Sequence, residues 1–324
     1  VELRKVQETG GGTNLISIPK DWAKRSGLGR GSLVAVSVGD DGCLIVDPRY
    51  NLARGIETVT IHPSAYLERE ITGRYLLGYD IIQVEAEKRM LASDRDHVKQ
   101  AVQRLIGLEI IEEDAHKIVL QCLLEPSTFP PEKILRREDL IASGMLKDVI
   151  VALHEGDQHL ARSIIERDDE VDRLYFLLVR LLRTTILNPR LTEKLQISLI
   201  DCLDYRLVAS LVESVADCSV DMAGSVLKMS GTQMPSELNQ PLSELGISVH
   251  EIHEKAMRAF FSKDLTLAEE TKELRSQAIS SSRQLNSTHT GYPSDLTTRA
   301  SEVLSSLSRI CDYSVDISDL VMAK

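Results

Sequence analysis

Rings are scarce in this chain: Phe, Trp and Tyr together make 4 % of the 324 residues, with a single Trp. Cores must then come from Leu, Ile, Val and Ala, which favours helices packed on helices. Cysteine is sparse too. Cys43, Cys122, Cys202, Cys218 and Cys311 lie far apart, are odd in number and form no C-x-x-C pair. That excludes a zinc ribbon or a disulfide scaffold and suits buried thiols in a reducing compartment. Long apolar runs are missing. The richest stretch, Tyr175 to Leu182, is interrupted by Arg180 and falls short of the roughly 18 residues a membrane span needs, so a soluble, cytoplasmic chain without membrane insertion is expected. Basic charge is in deficit, with 38 Lys and Arg against 49 Asp and Glu, a net −11. Such a chain is not mainly a nucleic-acid coat, although one local DNA-binding module remains compatible with it.

Catalytic signatures are absent as well. Gly10 to Gly12 lacks the spacing of a nucleotide loop, because the next glycine would have to stand where Leu15 is, and no G-K-[ST] follows. No Ser/His/Asp or Cys/His arrangement can be assembled, so no enzyme and no organic cofactor is expected. His62, His97 and His116 are isolated and read as surface or strand-end groups. His250-Glu251-Ile252-His253-Glu254 is not H-E-x-x-H, and its two histidines read as surface groups on a helix.

What the chain has is acid at helical spacing. ERDDEVD (Glu166 to Asp172) places Asp168 and Asp172 four residues apart, and VESVADCSVDMAG (Val212 to Gly224) does the same for Glu213, Asp217 and Asp221. On a helix that spacing stacks the side chains on one face. Either water screens these like charges or a divalent or trivalent cation, which prefers several carboxylate oxygens, lies between them. Leu207, Val208, Leu211, Val212, Val215, Val220 and Met222 flank the second row, so it is expected to be partly enclosed.

Residues 3–49 read as short strands around one short helix. LRKVQ and NLISIP are strand-like, DWAKRSGL is an amphipathic helix ending at Gly27, and SLVAVSVGDDGCLIVDP is a hairpin turning at Asp40-Asp41-Gly42. So little apolar material hardly buries a core alone, and dimerisation is the natural remedy. Residues 1–30 hold six basic residues (Arg4, Lys5, Lys20, Lys24, Arg25, Arg30) against three acids (Glu2, Glu8, Asp21), which doubling would turn into a phosphate-facing patch. Arg4-Lys5-Val6, the loop Gly10 to Gly12, the strand end Ile18-Pro19, the helix Asp21 to Ser26, the closing Gly27-Leu28 and Gly31 before alternating strand residues resemble the swapped-hairpin AbrB, MazE and SpoVT group. That resemblance implies a domain over 1–52 forming an intertwined two-fold dimer, with Arg4, Lys5, Lys20, Lys24 and Arg25 as DNA-contacting residues.

From Glu57 to Glu125, TVTIH, DIIQVEA, GLEIIEED and KIVLQCLL are strand-like, with helices at Tyr66 to Tyr79 and Asp94 to Ile106. A small α+β domain over 53–128, ferredoxin-like in order, is expected to act as a sensor or a spacer. Phe129 to Asp139 reads as a linker.

Beyond Glu138 nearly everything is helical: Glu138 to Glu155, Asp157 to Asn188, Thr192 to Met229, Ile247 to Lys263, Leu265 to Asn286 and Ser294 to Ala323, with breaks at Gly156, Pro189 and Gly291. Two sets of three suggest a duplication, 138–230 and 245–324. VESVADCSVDMAG at 212–224 aligns with LSRICDYSVDISD at 307–319, and EGDQHLARSIIE at 155–166 with SKDLTLAEETKE at 262–273.

A short first helix, G-D-x-x-L-A, E-R-D-x-x-x-D and then E-x-x-x-D, given twice, resembles the PhoU family of phosphate-uptake regulators. The resemblance implies tandem three-helix bundles over 138–324 that contact a phosphate transporter and a sensor kinase, and in some members hold iron, zinc or another metal such as magnesium. Fusion to an AbrB-like domain is an arrangement of archaeal members. Carried over, the metal face is Asp168, Asp172, Glu213 and Asp217, with Glu166 and Asp221 nearby. In the second repeat Arg275, Ile279 and Ser308 replace the acids and only Asp312 and Asp316 remain, so one metal-capable face is expected, with Arg275 or Arg309 pairing Asp312.

The chain therefore reads as multidomain: a swapped-hairpin β domain, a small α+β segment and an all-α tandem bundle. A homodimeric DNA-binding regulator of phosphate homeostasis is the leading reading, and an adaptor that touches only a transporter or signalling protein is the second. A metalloenzyme is set aside, since no histidine lies in 161–224.

Overall fold

The computed structural model describes residues 2–38, 42–48, 55–188, 190–229, 234–288 and 292–322. The turn residues Asp40 and Asp41 and the breaks at Pro189 and Gly291 lie outside them. The chain divides into two compact units, Val1–Ile56 and Glu57–Lys324.

In the first unit, β1 (Gln7–Glu8) pairs antiparallel with β2 (Asn14–Leu15), and β3 (Ala35–Val38) with β4 (Leu44–Asp47) in the register Val36↔Val46. Between the hairpins runs α1 (Lys20–Arg25). Gly27, at φ 66°, takes the left-handed turn that stops it, and Leu28 N–H then reaches back to the Ala23 carbonyl at 2.8 Å. The two strands before α1 are shorter than their sequence suggests. No described residue of this unit is buried, and Leu3, Val6, Leu33, Val36 and Val38 are all well exposed.

The second unit opens with a layer of β5 (Thr58–Ile61), α2 (Leu67–Leu76), β6 (Ile81–Glu85), α3 (Ala92–Arg104), β7 (Leu108–Glu113) and β8 (Lys117–Cys122). The sheet order is β5-β6-β8-β7, with β5 and β6 parallel and the other pairs antiparallel. This is not the ferredoxin-like order expected from the sequence. The Asp114 carboxylate accepts from His116 N and Lys117 N at 2.7 and 2.8 Å, closing a tight hairpin that inserts β8 between β6 and β7. Alternate residues Ile82, Val84, Ile118 and Leu120 face Ile71, Tyr75, Val98 and Leu105 to form the layer's core.

The helices follow: α4 (Pro131–Glu155), α5 (Gln158–Leu187), α6 (Arg190–Leu195), α7 (Leu199–Lys228), α8 (Ser236–Ser262), α9 (Leu265–Thr288) and α10 (Ser294–Asp319). Three differ from expectation. The supposed linker at 129–139 is largely the first turns of α4, because Pro131 sits where a helix needs no N–H. The long third helix is two, broken where Gln196 turns left-handed and Ser198 with Asp201 caps α7. Helix α8 starts at Ser236 and runs through Pro241, since the apolar stripe Leu238, Leu242, Leu245 and Val249 continues across it and packing outweighs the lost N–H. Helices α4, α5 and α7 form one bundle and α8, α9 and α10 another, joined through α4 with α8 and α7 with α10. Where α4 meets α8, a Cβ on Gly246 would stand 2.8 Å from Ile150, so only glycine fits there. No helix among the described residues is long and apolar enough to cross a membrane.

The residue that interrupts the apolar run of α5 joins the layer to the bundle. Arg180 is 3 % exposed; it donates to the Tyr75 carbonyl at 2.5 Å and the Gly78 carbonyl at 3.4 Å, and its guanidinium lies 4.8 Å from the Tyr75 ring centre. Arg180→Met is expected to lower stability by about 2 kcal/mol, because it removes the charge-assisted bonds to the Tyr75 and Gly78 carbonyls and the contact with the Tyr75 ring. A urea midpoint, together with faster amide exchange in 75–80, measures this; an unchanged midpoint would show that the clasp contributes nothing.

Candidate functional site

Helices α5 and α7 are pressed together by Val171, Leu178, Val208, Val212 and Val215, and this packing brings their acid rows side by side. Asp168, Asp172 and Glu213 are half-buried, while Asp217, Asp221 and Glu166 are exposed. Leu207 does not help enclose the row, as the sequence suggested; it is 46 % exposed.

The acids act on one another. Burial first, then Asp172 and Asp217, pushes the Asp168 carboxyl up to about 6. Burial, then Asp217, Asp172 and Asp168, takes Glu213 up to about 7. Asp217 is raised by burial and by Asp172 and Asp221, with Arg309 opposing. Two of the five predicted acids carry guanidinium partners: Arg104 of α3 reaches Asp172 at 2.9 Å, and Arg309 of α10 reaches Asp221 at 2.7 Å. Asp168, Glu213 and Asp217 are left as the mutually repelling core of the face.

A further acid belongs to this group and escaped the sequence reading. Glu138 of α4 is fully buried, and neither of its carboxylate oxygens has a hydrogen-bond partner. Burial, then Glu213 and Asp139, raises its pKa well above the ordinary value of 4.5 against the pull of Arg206. A signal was present: Glu138 interrupts the apolar stripe Ile134, Leu135, Ile141, Ala142 and Met145 at a core position. The donor set is all oxygen, as a hard cation prefers. Among the described residues, however, no three Asp, Glu, His or Cys side chains converge closely enough to hold a metal ion.

In the second repeat Arg275 grips Asp312 at 2.6 and 3.1 Å, supplying a fixed positive charge where the first repeat has acids. Arg309, the other candidate for Asp312, serves the first repeat instead.

His250 and His253 are not the surface groups their spacing suggested. His253 is fully buried with Nε2 2.9 Å from Asp139 Oδ1, and His250 Nε2 lies 3.0 Å from Ser143 Oγ. Burial lowers the His250 pKa. Both face α4 across the contact between repeats, which no local pattern reveals.

Arg4, Lys5, Lys20, Lys24 and Arg25 are all exposed on the first unit. Arg4 pairs with Glu2 and donates to Ser17 Oγ at 3.4 Å, and Arg25 Nε donates to the Asp21 carbonyl at 3.4 Å.

A raised carboxyl pKa means that the folded chain keeps a proton the unfolded chain has released. Stability therefore falls as pH rises between the ordinary value of 4.5 and about 7 for Glu213. With a chelator present, Glu213→Gln is expected to stabilise the protein by about 1 kcal/mol at pH 8, discounted for partial solvent screening, with the gain shrinking toward zero near pH 4.5. Urea midpoints at the two pH values decide it, and a pH-independent difference would show that the acids do not repel.

Residues 135–226 match the family model for the PhoU domain. No curated protein matches the chain. Among solved structures, PhoU from Pseudomonas aeruginosa aligns with a TM-score of 0.50 at 17 % identity, covering 60 % of this chain and 95 % of that one. The phosphate transport system regulatory protein PhoU from Streptococcus pneumoniae aligns with a TM-score of 0.50 at 18 % identity, covering 58 % and 89 %. At these identities the likeness is one of fold. Residues 135–226 thus match a PhoU domain, and the pair of three-helix bundles shares the fold of PhoU proteins.

Proposed function

We propose that this chain is a cytoplasmic, non-enzymatic regulator of phosphate uptake that works as a DNA-binding homodimer and whose PhoU-like half carries a cation-responsive carboxylate face. The PhoU domain match over 135–226, set in a duplicated bundle, carries the phosphate reading. The helical half is then the part that meets a phosphate transporter or signalling protein.

Pairing through residues 1–52 in the manner of the AbrB, MazE and SpoVT group is supported by a unit in which no described residue is buried while large aliphatic side chains such as Leu3, Val6, Leu33, Leu44 and Val38 are well exposed. Arg4, Lys5, Lys20, Lys24 and Arg25, doubled by such pairing, supply the positive surface that phosphates require. A divalent or trivalent ion such as iron, zinc or magnesium would be held by Asp168, Glu213 and Asp217, with Asp172 and Asp221 at the margins, once these side chains rotate inward. The chemistry such an ion would supply there is charge neutralisation of the repelling carboxylates.

Binding to promoter DNA, followed by fluorescence polarisation at 50 and 200 mM salt, is expected to weaken by about tenfold or more at the higher salt. Changing Arg4, Lys5, Lys24 and Arg25 together to Gln is expected to abolish it; undetectable binding by the unaltered protein at low salt overturns the DNA reading and leaves the adaptor. Metal analysis of chain purified without added metal is expected to give one equivalent per chain, lost on changing Asp168, Glu213 and Asp217 to their amides. Two equivalents, or none, would contradict the single face.

A further inference from the structure

A buried serine in a helix commonly turns its hydroxyl to the carbonyl four residues back, as Ser314 and Ser318 of α10 do at 2.8 and 3.0 Å. Ser306 of the same helix does not. It is 4 % exposed, and its hydroxyl meets no donor or acceptor among the described residues. A hydroxyl left so is costly unless something outside the chain completes it. Ser306 lines a groove of about 670 Å³ between α7 and α10, within the size range of small-molecule sites.

Arg309 reaches Asp221 at 2.7 Å and Ser225 donates to Glu302 at 2.8 Å, so the two helices run antiparallel along this groove. Every side chain lining it is charged or carries a hydroxyl. Arg309 and Asp221 mark one end. Lys228, about one turn beyond Ser225, marks the other, where Thr298 and the first turns of α10 lie. Both acids are already answered, Asp221 by Arg309 and Glu302 by Arg299 at 2.9 Å. Lys228 acts on Glu302 through space but forms no ion pair among the described residues, which leaves one cation uncommitted.

We propose that the groove binds a phosphorylated polyol of sugar-phosphate size, its phosphate at Lys228 and its alcohol groups along Ser306, Arg309 and Asp221. Lys228 supplies the charge a phosphate needs, Thr298 and Ser301 supply hydroxyls beside it, and the positive end of α10 favours the same anion. Further along, Ser305 and Ser306 donate or accept and Asp221 accepts, as a row of alcohols requires. From Asp221 to Lys228 the helix rises about 10 Å, enough for a phosphorylated hexose and more than a single oxyanion fills. No ring lines the groove, so a nucleobase would find no stacking face. An occupant would fasten the first bundle, through α7, to the second, through α10.

The test is titration calorimetry of the full chain with glucose-6-phosphate, ribose-5-phosphate and glycerol phosphate, beside inorganic phosphate, glucose and AMP. At least one of the three esters is expected to bind with a Kd of about 0.1 mM, with inorganic phosphate, glucose and AMP each weaker by about tenfold or more. Lys228→Gln is expected to weaken that ester about tenfold and Ser306→Ala about fivefold. Ser306→Ala is also expected to keep or raise the urea midpoint, because alanine removes an unmet hydroxyl; a merely structural serine would lose stability instead. Lys133→Gln, exposed at the start of α4, is expected to bind as the unaltered chain does, and so is the variant with Gln at Arg4, Lys5, Lys24 and Arg25. Loss of binding in that last variant would move the site to the first unit and overturn the proposal. Equal affinity for inorganic phosphate or AMP, an unchanged Lys228→Gln variant, or no binding of any ester at about 10 mM would overturn it as well.

Discussion

Apolar packing forces two helices together along faces that repel each other, and much of this molecule answers that conflict. Val171, Val208, Val212 and Val215 hold α5 against α7, and the same contact sets Asp168 and Asp172 beside Glu213 and Asp217. Three remedies coexist. Protons are held more tightly on the most enclosed carboxyls, Glu138 being raised well above its ordinary value and Glu213 to about 7. Guanidinium groups arrive from distant elements, Arg104 from the sheet layer and Arg309 from the second bundle. Solvent takes what remains at Asp217.

The two bundles show alternative solutions to one geometry. In the second, Arg275 stands where the first has an acid, and its two contacts with Asp312 build the compensating charge into the chain. A covalently attached charge cannot leave, so the pairing is permanent. Keeping the first repeat acidic leaves its carboxyls raised and repelling, at a cost in stability that the Arg275–Asp312 pair avoids.

Local pattern made much of this fold legible. The strands of the sheet layer, the helices α5, α9 and α10 and the duplication could all be read from apolar period and capping residues, because those signals are short-range. What failed was decided by distant partners. Strand order hinged on the Asp114 turn and on which edge β8 joined. The early start of α8 depended on α4, whose His154 meets Asn239 through its carbonyl and Ser243 through its ring. For the candidate site, i,i+4 spacing placed the five acids along the faces of α5 and α7. The arginines that neutralise two of them come from 68 and 88 residues away in sequence, beyond any window of pattern. Glu138 was within reach, since a carboxylate in an apolar stripe is itself an anomaly, but it lay outside the two acid rows that drew attention.

Arg180 bonds to the main-chain oxygens of Tyr75 and Gly78, with the Asp80 carboxylate standing further off at 3.9 Å. A joint made to backbone is indifferent to most side-chain identities at its acceptor end, so evolutionary drift can rewrite much of that loop's surface while the lever between sheet and helix keeps its angle. The arginine has no such freedom, and the burden of the hinge rests on a single codon.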